Sequence, residues 1–200
     1  MAKSHGFKHF ILITKHRHLV LRNARKCGIF FHSLYHDLTK YGYTEFHISK
    51  KYYSGDKTPI LAERKEHGYF SYVCQHHTRR NPHHWEYWTD WFRGHLILCT
   101  MPWSYATEYV CDMLSASKIY NGKNATRDSA LKHFESKVRH YYLTKATKEY
   151  VEWCLHRYIE LGFKGLKKKD TKKKYDEILS RNEKYEILNQ LHADPEGVEF

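Results

Sequence analysis

The sequence lacks any apolar segment long enough to cross a lipid bilayer. The apolar run at residues 10–13 is far shorter than the roughly 20 residues that a spanning helix needs. The start Met-Ala-Lys-Ser-His-Gly also lacks the charged region and the apolar region of a secretory signal. These absences predict a cytoplasmic protein that is neither secreted nor inserted in a membrane.

Cysteine is present, but not in the spacing that disulfide scaffolds or redox motifs use. The chain has 5 cysteines, an odd number, and none of them form a C-x-x-C pair. Such widely spaced cysteines predict reduced, mostly buried thiols in a reducing compartment. They are Cys27, Cys74, Cys99, Cys111 and Cys154.

Acidic residues are fewer than basic ones. The chain of 200 residues has 34 Lys and Arg against 22 Asp and Glu, which gives a formal net charge of +12. This excess favours polyanionic partners such as nucleic acid, nucleotides or anionic lipid. The 17 His are a rich supply of metal ligands, and the 16% aromatic residues can build a core or stack on bases. With 41% apolar residues, one main domain is expected.

The chain also lacks an internal repeat and a convincing strand pattern, so we expect an all-α fold. Apolar spacing predicts helices at residues 7–27, 30–41, 44–52, 60–80, 104–119, 127–142 and 147–161. Residues 89–100 are compatible with either strand or helix. We divide the chain into an all-α domain at residues 1–162 and a C-terminal segment at residues 163–200. That segment is predicted to be a Lys-rich connector, an amphipathic helix near residues 175–191 and a short acidic tail.

An imidazole and a carboxylate lie side by side in the otherwise apolar segment around His36 and Asp37. Neighbouring side chains on a helix diverge by about 100°, so this pair can bind one ion only with ligands from elsewhere. The candidates, in chain order, are His16, His76 or His77, His83 or His84, and Asp112. Adjacent residues also diverge within each His pair, so we expect one of each pair to point inward and choose His77 and His84.

This order of residues resembles the HD metal-dependent phosphohydrolase superfamily. His16 with Val20 four residues later, and the segment H-D-L-T-K at residues 36–40, are similar to that family's motifs, and Asp112 fits its closing Asp. Residues 76–85 also resemble an uncharacterised bacterial and phage branch of HD-like proteins. The resemblance covers about residues 14–122 and implies an HD-domain-like helical bundle.

The resemblance implies a site for divalent transition metal, with two ions expected. The implied ligands are His16, His36, Asp37, His77, His84 and Asp112. One ion would use the first-helix His, the His-Asp pair and the closing Asp, and the later His residues would add a second ion with Asp37 as a bridge. Nitrogen and oxygen ligands suit Mn, Fe, Co or Zn.

A site of this kind predicts hydrolysis of a nucleotide or another phosphoester. Asp37 and Lys40 are the expected catalytic residues, with Lys40 either reaching substrate phosphate or bracing Asp37. Arg79 and Arg80 are expected to bind phosphate oxygens. Glu45, together with Tyr35 and Tyr41, is near enough in sequence to surround the site.

Two other functions remain open from the sequence. Some HD proteins with six ligands hold two irons and activate O2, so a diiron oxygenase is the first alternative. The second is a non-enzymatic nucleic-acid-binding protein, in which a lysine run contacts phosphates and nearby aromatics stack on bases. That run could instead be a solvated connector, and the His and Asp residues could be buried polar groups without a ligand. The run comprises Lys164, Lys167, Lys168, Lys169, Lys172, Lys173 and Lys174.

Overall fold

The protein is mostly helical with a small antiparallel sheet, in a computed structural model that describes residues 2–55 and 58–188. The helices are α1 (Ala2–Cys27), α2 (Tyr43–Tyr52), α3 (Pro59–Glu66), α4 (Tyr72–Thr78), α5 (Trp103–Asn121), α6 (Ser129–Lys137), α7 (Lys145–Leu161) and α8 (Lys168–Leu179). The strands are β1 (Thr89–Phe92), β2 (His95–Cys99) and β3 (Tyr185–Leu188).

The sheet corrects the all-α prediction. Its order is β1-β2-β3 with antiparallel pairing throughout, so that Leu98 lies opposite Thr89 and Ile97 lies opposite Ile187. Arg93 and Gly94 join the first two strands, and both have positive φ, as a tight two-residue hairpin requires. The ambiguous residues 89–100 therefore form strands. The third strand arrives from near the end of the described chain, a pairing that local sequence cannot reveal.

Two predicted helices are wrong because the backbone breaks inside them. Residues 30–41 form two short 3-10 helices, His32–Tyr35 and Leu38–Tyr41, and Asp37 between them has the left-handed φ of 56°. Residues 60–80 divide into α3 and α4, because Gly68 and Tyr69 also have positive φ. A left-handed residue cannot continue a right-handed helix.

The hydrophobic core lies among α1, α5, α6, α7 and α8. Polar groups inside it are paired: the hydroxyls of Thr107 and Tyr150 are 2.7 Å apart, and Tyr175 donates to the carbonyl of Met101 at 2.7 Å. The largest fully buried apolar side chains include Tyr150, Phe134, Met101, Leu155, Leu166 and Ile178. The core therefore fixes α1 and α5 side by side, and both helices carry predicted site residues.

The C-terminal segment differs from its prediction. The helix is α8 at Lys168–Leu179, followed by β3, and not a helix near residues 175–191. The predicted acidic tail lies outside the described residues. Because α8 buries Tyr175 and Ile178 in the same core as α1 and α5, it is packed on the domain. The domain boundary at residue 162 stays a prediction.

Two further predictions concern membrane-spanning helices and the state of the cysteines. Within the described ranges, no helix is long and apolar enough to span a membrane. All five cysteines are free thiols, and Cys27, Cys111 and Cys154 are buried.

Candidate metal centre

The first two site residues lie on the packed pair of helices α1 and α5. Val20 and Ala24 of α1 are completely buried, and the same apolar stripe brings His16 to the interface. Nε2 of His16 lies 2.8 Å from Oδ1 of Asp112, which projects from α5. Residues almost one hundred positions apart are therefore in contact, as their placement on two amphipathic helices predicts.

The His36 and Asp37 pair lies on the sharp bend between the two 3-10 helices. Arg17, next to His16 on α1, holds this bend by donating to the carbonyls of His36 at 3.1 Å and Leu34 at 2.5 Å. The left-handed conformation of Asp37 turns its carboxylate inward, where it is 2% exposed. Its Oδ2 lies 3.6 Å from Nε2 of His16 and 3.4 Å from Nε2 of His36.

The other carboxylate oxygen of Asp37 faces a second group of imidazoles. Oδ1 lies 3.1 Å from Nε2 of His77, on α4, and 3.4 Å from Nε2 of His83, in the loop that follows. His84 joins this group, since its ring centroid is 4.8 Å from that of His77. Asp37 thus stands between two groups of nitrogen ligands, with one oxygen toward each.

Two sets of side chains have the spacing of metal ligands, with ligand atoms within 4.8 Å of one another. One set is His16, His36 and Asp112, and the other is Asp37, His77, His83 and His84. These buried His and Asp groups could hold a metal ion. A third combination, of His36, His83 and Glu108, has similar spacing, and in it Oε1 of Glu108 lies 2.8 Å from Nδ1 of His36.

The unpaired atoms of the cluster test whether an ion would fit. Buried polar atoms are nearly always hydrogen-bonded, because an unpaired one costs about 1–3 kcal/mol. Here several buried atoms make no well-aligned hydrogen bond among the described residues, although Nε2 of His16 and Nε2 of His77 each lie near a carboxylate oxygen, and these atoms converge on the same space. They are Oδ1 of Asp37 and the Nε2 atoms of His16, His36, His77, His83 and His84. A metal ion accepts such lone pairs, so these residues fit a metal.

Two further carboxylates contact the Nδ1 atoms of the imidazoles and so orient the rings. Nδ1 of His36 lies 2.8 Å from Oε1 of Glu108, and Nδ1 of His77 lies 2.8 Å from Oε2 of Glu45. These contacts place the ring proton on Nδ1 and leave Nε2 free for a metal, an arrangement common to His ligands. Burial would raise the pKa of Glu108, but its contacts with His32 and His36 lower the pKa to about 2, so it stays ionised.

Opposite charges determine the protonation of the cluster. Burial by itself would raise the pKa of Asp37, but the charges of His36 and Lys40 hold that pKa well below its usual value. Burial would lower the pKa of His36, but Asp37 and the hydrogen bond to Glu108 raise it to about 10. For His83, burial and the charge on His36 lower the pKa. A metal ion must therefore displace a proton from His36 but not from His83.

The three basic residues predicted for substrate or catalysis occupy different positions. Lys40 braces Asp37, with Nζ 2.6 Å from Oδ2. Nη1 of the exposed Arg79 donates to the backbone carbonyls of Glu86 at 2.9 Å and Thr89 at 3.3 Å. Arg80 is exposed and lines a cavity beside the cluster.

That cavity has a volume of about 350 Å³ and reaches the His and Asp cluster at His36 and His83. Its rim is aromatic, with Phe31 and Tyr35 largely exposed. Of the other residues expected to surround the site, Tyr41 donates instead to the hydroxyl of Thr14 at 3.1 Å. The cavity therefore touches the cluster at two of its histidines and at Glu108, on the side of Arg80.

The structure brings together all six predicted ligands, and it adds residues that the sequence reasoning did not choose. Within the His pairs, His77 rather than His76 lies beside Asp37, whereas His83 and His84 both join the group. Glu108 was missed, although it precedes Asp112 by four residues and so shares its helix face. That spacing was the signal that could have found it.

Glu108→Gln should weaken metal binding while leaving the fold intact. Glutamine keeps the shape but loses the charge that holds the proton on Nδ1 of His36, and loss of such an outer partner typically costs about 10–100-fold in metal affinity. Competition against a chromophoric chelator measures the affinity. Glu135→Gln, an exposed change on α6, is the matched control. Equal affinities in the two variants would show that Glu108 does not support a ligand.

The fold and the cluster define a mostly helical protein whose buried His, Asp and Glu groups could hold a metal ion. Residues 5–157 match the family of unknown function DUF5662, and the chain belongs to this family. No curated protein and no solved structure matches the chain. The HD relationship therefore remains a resemblance of motif residues and their order.

Proposed function

We propose that this protein is a metal-dependent phosphohydrolase acting on a nucleotide or another phosphoester. The observation that carries the proposal is the position of Asp37, whose two oxygens face two separate groups of buried imidazole nitrogens that make no well-aligned hydrogen bond among the described residues. One ion, of Mn, Fe, Co or Zn, would be held by His16, His36, Asp37 and Asp112. A second would be held by Asp37, His77, His83 and His84.

Two such ions, when bound, supply hydroxide at neutral pH and neutralise charge on a phosphoryl group. The protein's own residues provide the setting. Lys40 holds the carboxylate of Asp37 in place, and Glu45 and Glu108 fix the orientation of the imidazoles. Arg80 at the cavity is positioned to bind phosphate oxygens. Hydrolysis adds water across the P–O ester bond, releasing phosphate and an alcohol.

Elemental content and activity under anaerobic conditions test the proposal together. We expect about two transition-metal ions per chain, and hydrolysis of nucleotides or of a generic aryl phosphate at the same rate with and without O2. Chelation should abolish the activity, and Mn²⁺ or Zn²⁺ should restore it. A folded protein that stays metal-free when these ions are supplied would contradict the proposal.

The same preparation separates the alternatives. Uptake of O2 with a mixed-valence iron signal, and no hydrolysis without O2, would favour the diiron oxygenase. Nucleic-acid binding by a protein without metal and without either activity would favour a non-enzymatic binding protein.

A further inference from the structure

A basic surface covers the end of α1 and the start of α8. The two segments are in close contact, because a Cβ on Gly28 would lie 2.8 Å from Cβ of Lys168. Nζ of Lys26 lies 4.2 Å above the ring of Phe163, which leads into α8. The exposed cations of this basic surface are Arg22, Arg25, Lys26, Lys164, Lys167, Lys168, Lys169, Lys172 and Lys173.

The fold holds these lysines in place. Thr171, Tyr175 and Ile178 on the opposite face of α8 are buried in the domain, so the lysine side of the helix must face solvent. The exposed Asp170, Asp176 and Glu177 of α8 partly offset the charge, and Oδ2 of Asp176 lies 3.4 Å from Nζ of Lys172. The excess of positive charge on one ordered face is what a phosphate backbone requires.

Two segments of the chain connect the basic surface with the cavity beside the His and Asp cluster. Trp103, at the first position of α5, lies under Nζ of Lys168 at 5.9 Å and donates to Thr171 at 3.3 Å. Two residues further on, Tyr105 lines the cavity. On the other side, only three residues separate Gly28, which touches α8, from His32 in the cavity wall. The same two segments of the chain therefore carry both residues that contact α8 and residues that line the cavity.

We propose that the basic surface binds single-stranded nucleic acid and directs one end of it into the cavity. The lysines contact successive phosphates, and the exposed rings of Phe31 and Tyr35 at the cavity rim stack on unpaired bases. Arg80 then meets the terminal phosphate beside His36. The proposal that the strand binds depends only on the basic surface. The proposal that the strand is a substrate rests on the proposed phosphohydrolase function.

An anionic membrane fits this surface less well. A helix that lies on a membrane inserts its apolar face among the lipids. The apolar residues of α8 are buried in the core, so the helix offers lipid only its charges. Stacking groups at the end of the surface also favour a ligand with bases.

The experiment compares two variants of equal charge change in the full chain. The test variant carries Lys168→Gln, Lys169→Gln, Lys172→Gln and Lys173→Gln. The control carries Lys123→Gln, Lys132→Gln, Lys137→Gln and Lys148→Gln, all exposed and on other elements. Fluorescence anisotropy with a labelled 12-nucleotide single strand of DNA or RNA measures affinity from 50 to 200 mM salt.

We expect the test variant to bind the strand at least about tenfold more weakly than the control does. The plot of log K against log salt concentration should also be less steep for the test variant, by about 0.7 for each phosphate contact removed. Phe31→Leu with Tyr35→Leu should weaken single-strand binding about tenfold, whereas Trp91→Leu with Phe92→Leu, exposed on β1, should not. Equal binding by the test and control variants overturns the proposal. Binding of vesicles with 30% anionic lipid, but not of the oligonucleotide, also overturns it and assigns the surface to membranes.

Metal content, measured on the same samples, keeps this proposal separate from the proposed function. A metal-free protein that binds the strand through the lysines contradicts the phosphohydrolase and leaves the nucleic-acid surface standing. A protein that holds two ions but does not bind the strand contradicts the nucleic-acid surface and leaves the phosphohydrolase proposal standing.

Discussion

Asp37→Asn should release both of the proposed metal ions and leave the fold in place. The carboxylate directs one oxygen to His16 and His36 and the other to His77 and His83. An amide has no negative charge and offers a single good ligand atom. Both ions therefore lose a shared ligand at once, which no other single change in the cluster would cause.

Asparagine is the informative replacement because of the backbone at this position. Asp37 has a φ of 56°, a conformation in which asparagine is among the best tolerated residues. Alanine there would add about 1–2 kcal/mol of strain and confuse a loss of metal with a loss of fold. The bend held by Arg17 is thus preserved while the charge is removed.

We expect the affinity for both ions to fall by more than about 100-fold, since loss of an outer partner alone costs about 10–100-fold. Elemental analysis after dialysis measures the metal content, and far-ultraviolet circular dichroism measures the fold. Asp90→Asn, an exposed aspartate on β1, is the control. Retention of two ions would refute a shared carboxylate, and loss of helical signal would indicate that Asp37 serves the fold through its pair with Lys40.

The parts of the site that the sequence predicts are those carried on long amphipathic helices. His16 and Asp112 lie on α1 and α5, where the apolar spacing fixes which face packs inward. The His36 and Asp37 pair stood out by its neighbours in sequence, but its local structure was predicted wrongly. The bend there depends on Arg17, a tertiary contact that does not show in the spacing of residues 30–41.

The remaining errors have the same physical origin. Strand β3 pairs with β2 across more than eighty residues, and neither segment alternates strongly enough to indicate it. By contrast, Gly68 inside the predicted helix at residues 60–80 was a visible break, since its positive φ ends α3. Because of this break, α4 is a separate helix, on which Nε2 of His77 lies 3.1 Å from Oδ1 of Asp37.

The adjacent residues His76 and His77 provide the last test, which decides between one ion and two. Both imidazoles contact Glu45, with Nδ1 of His76 at 2.7 Å from Oε1 and Nδ1 of His77 at 2.8 Å from Oε2. Only His77 turns an unpaired buried Nε2 toward Asp37. The two residues therefore share a helix, the partner Glu45 and a side-chain type, but His77 faces the candidate metal and is buried, whereas His76 is half-buried.

His77→Ala should reduce the metal content from about two ions to about one, because the ligands of the other ion, among them His16 and Asp112, are untouched. His76→Ala should retain both ions. Elemental analysis counts the ions, and with Mn²⁺ the loss of magnetic coupling in the electron paramagnetic resonance spectrum identifies a single remaining ion. Equal effects of the two changes would mean that packing around Glu45, and not ligation by His77, controls the metal content. Because His77 is buried and His76 is half-buried, far-ultraviolet circular dichroism of both variants accompanies the metal count, and loss of one ion from a His77 variant that keeps its helical signal is the result that ligation explains.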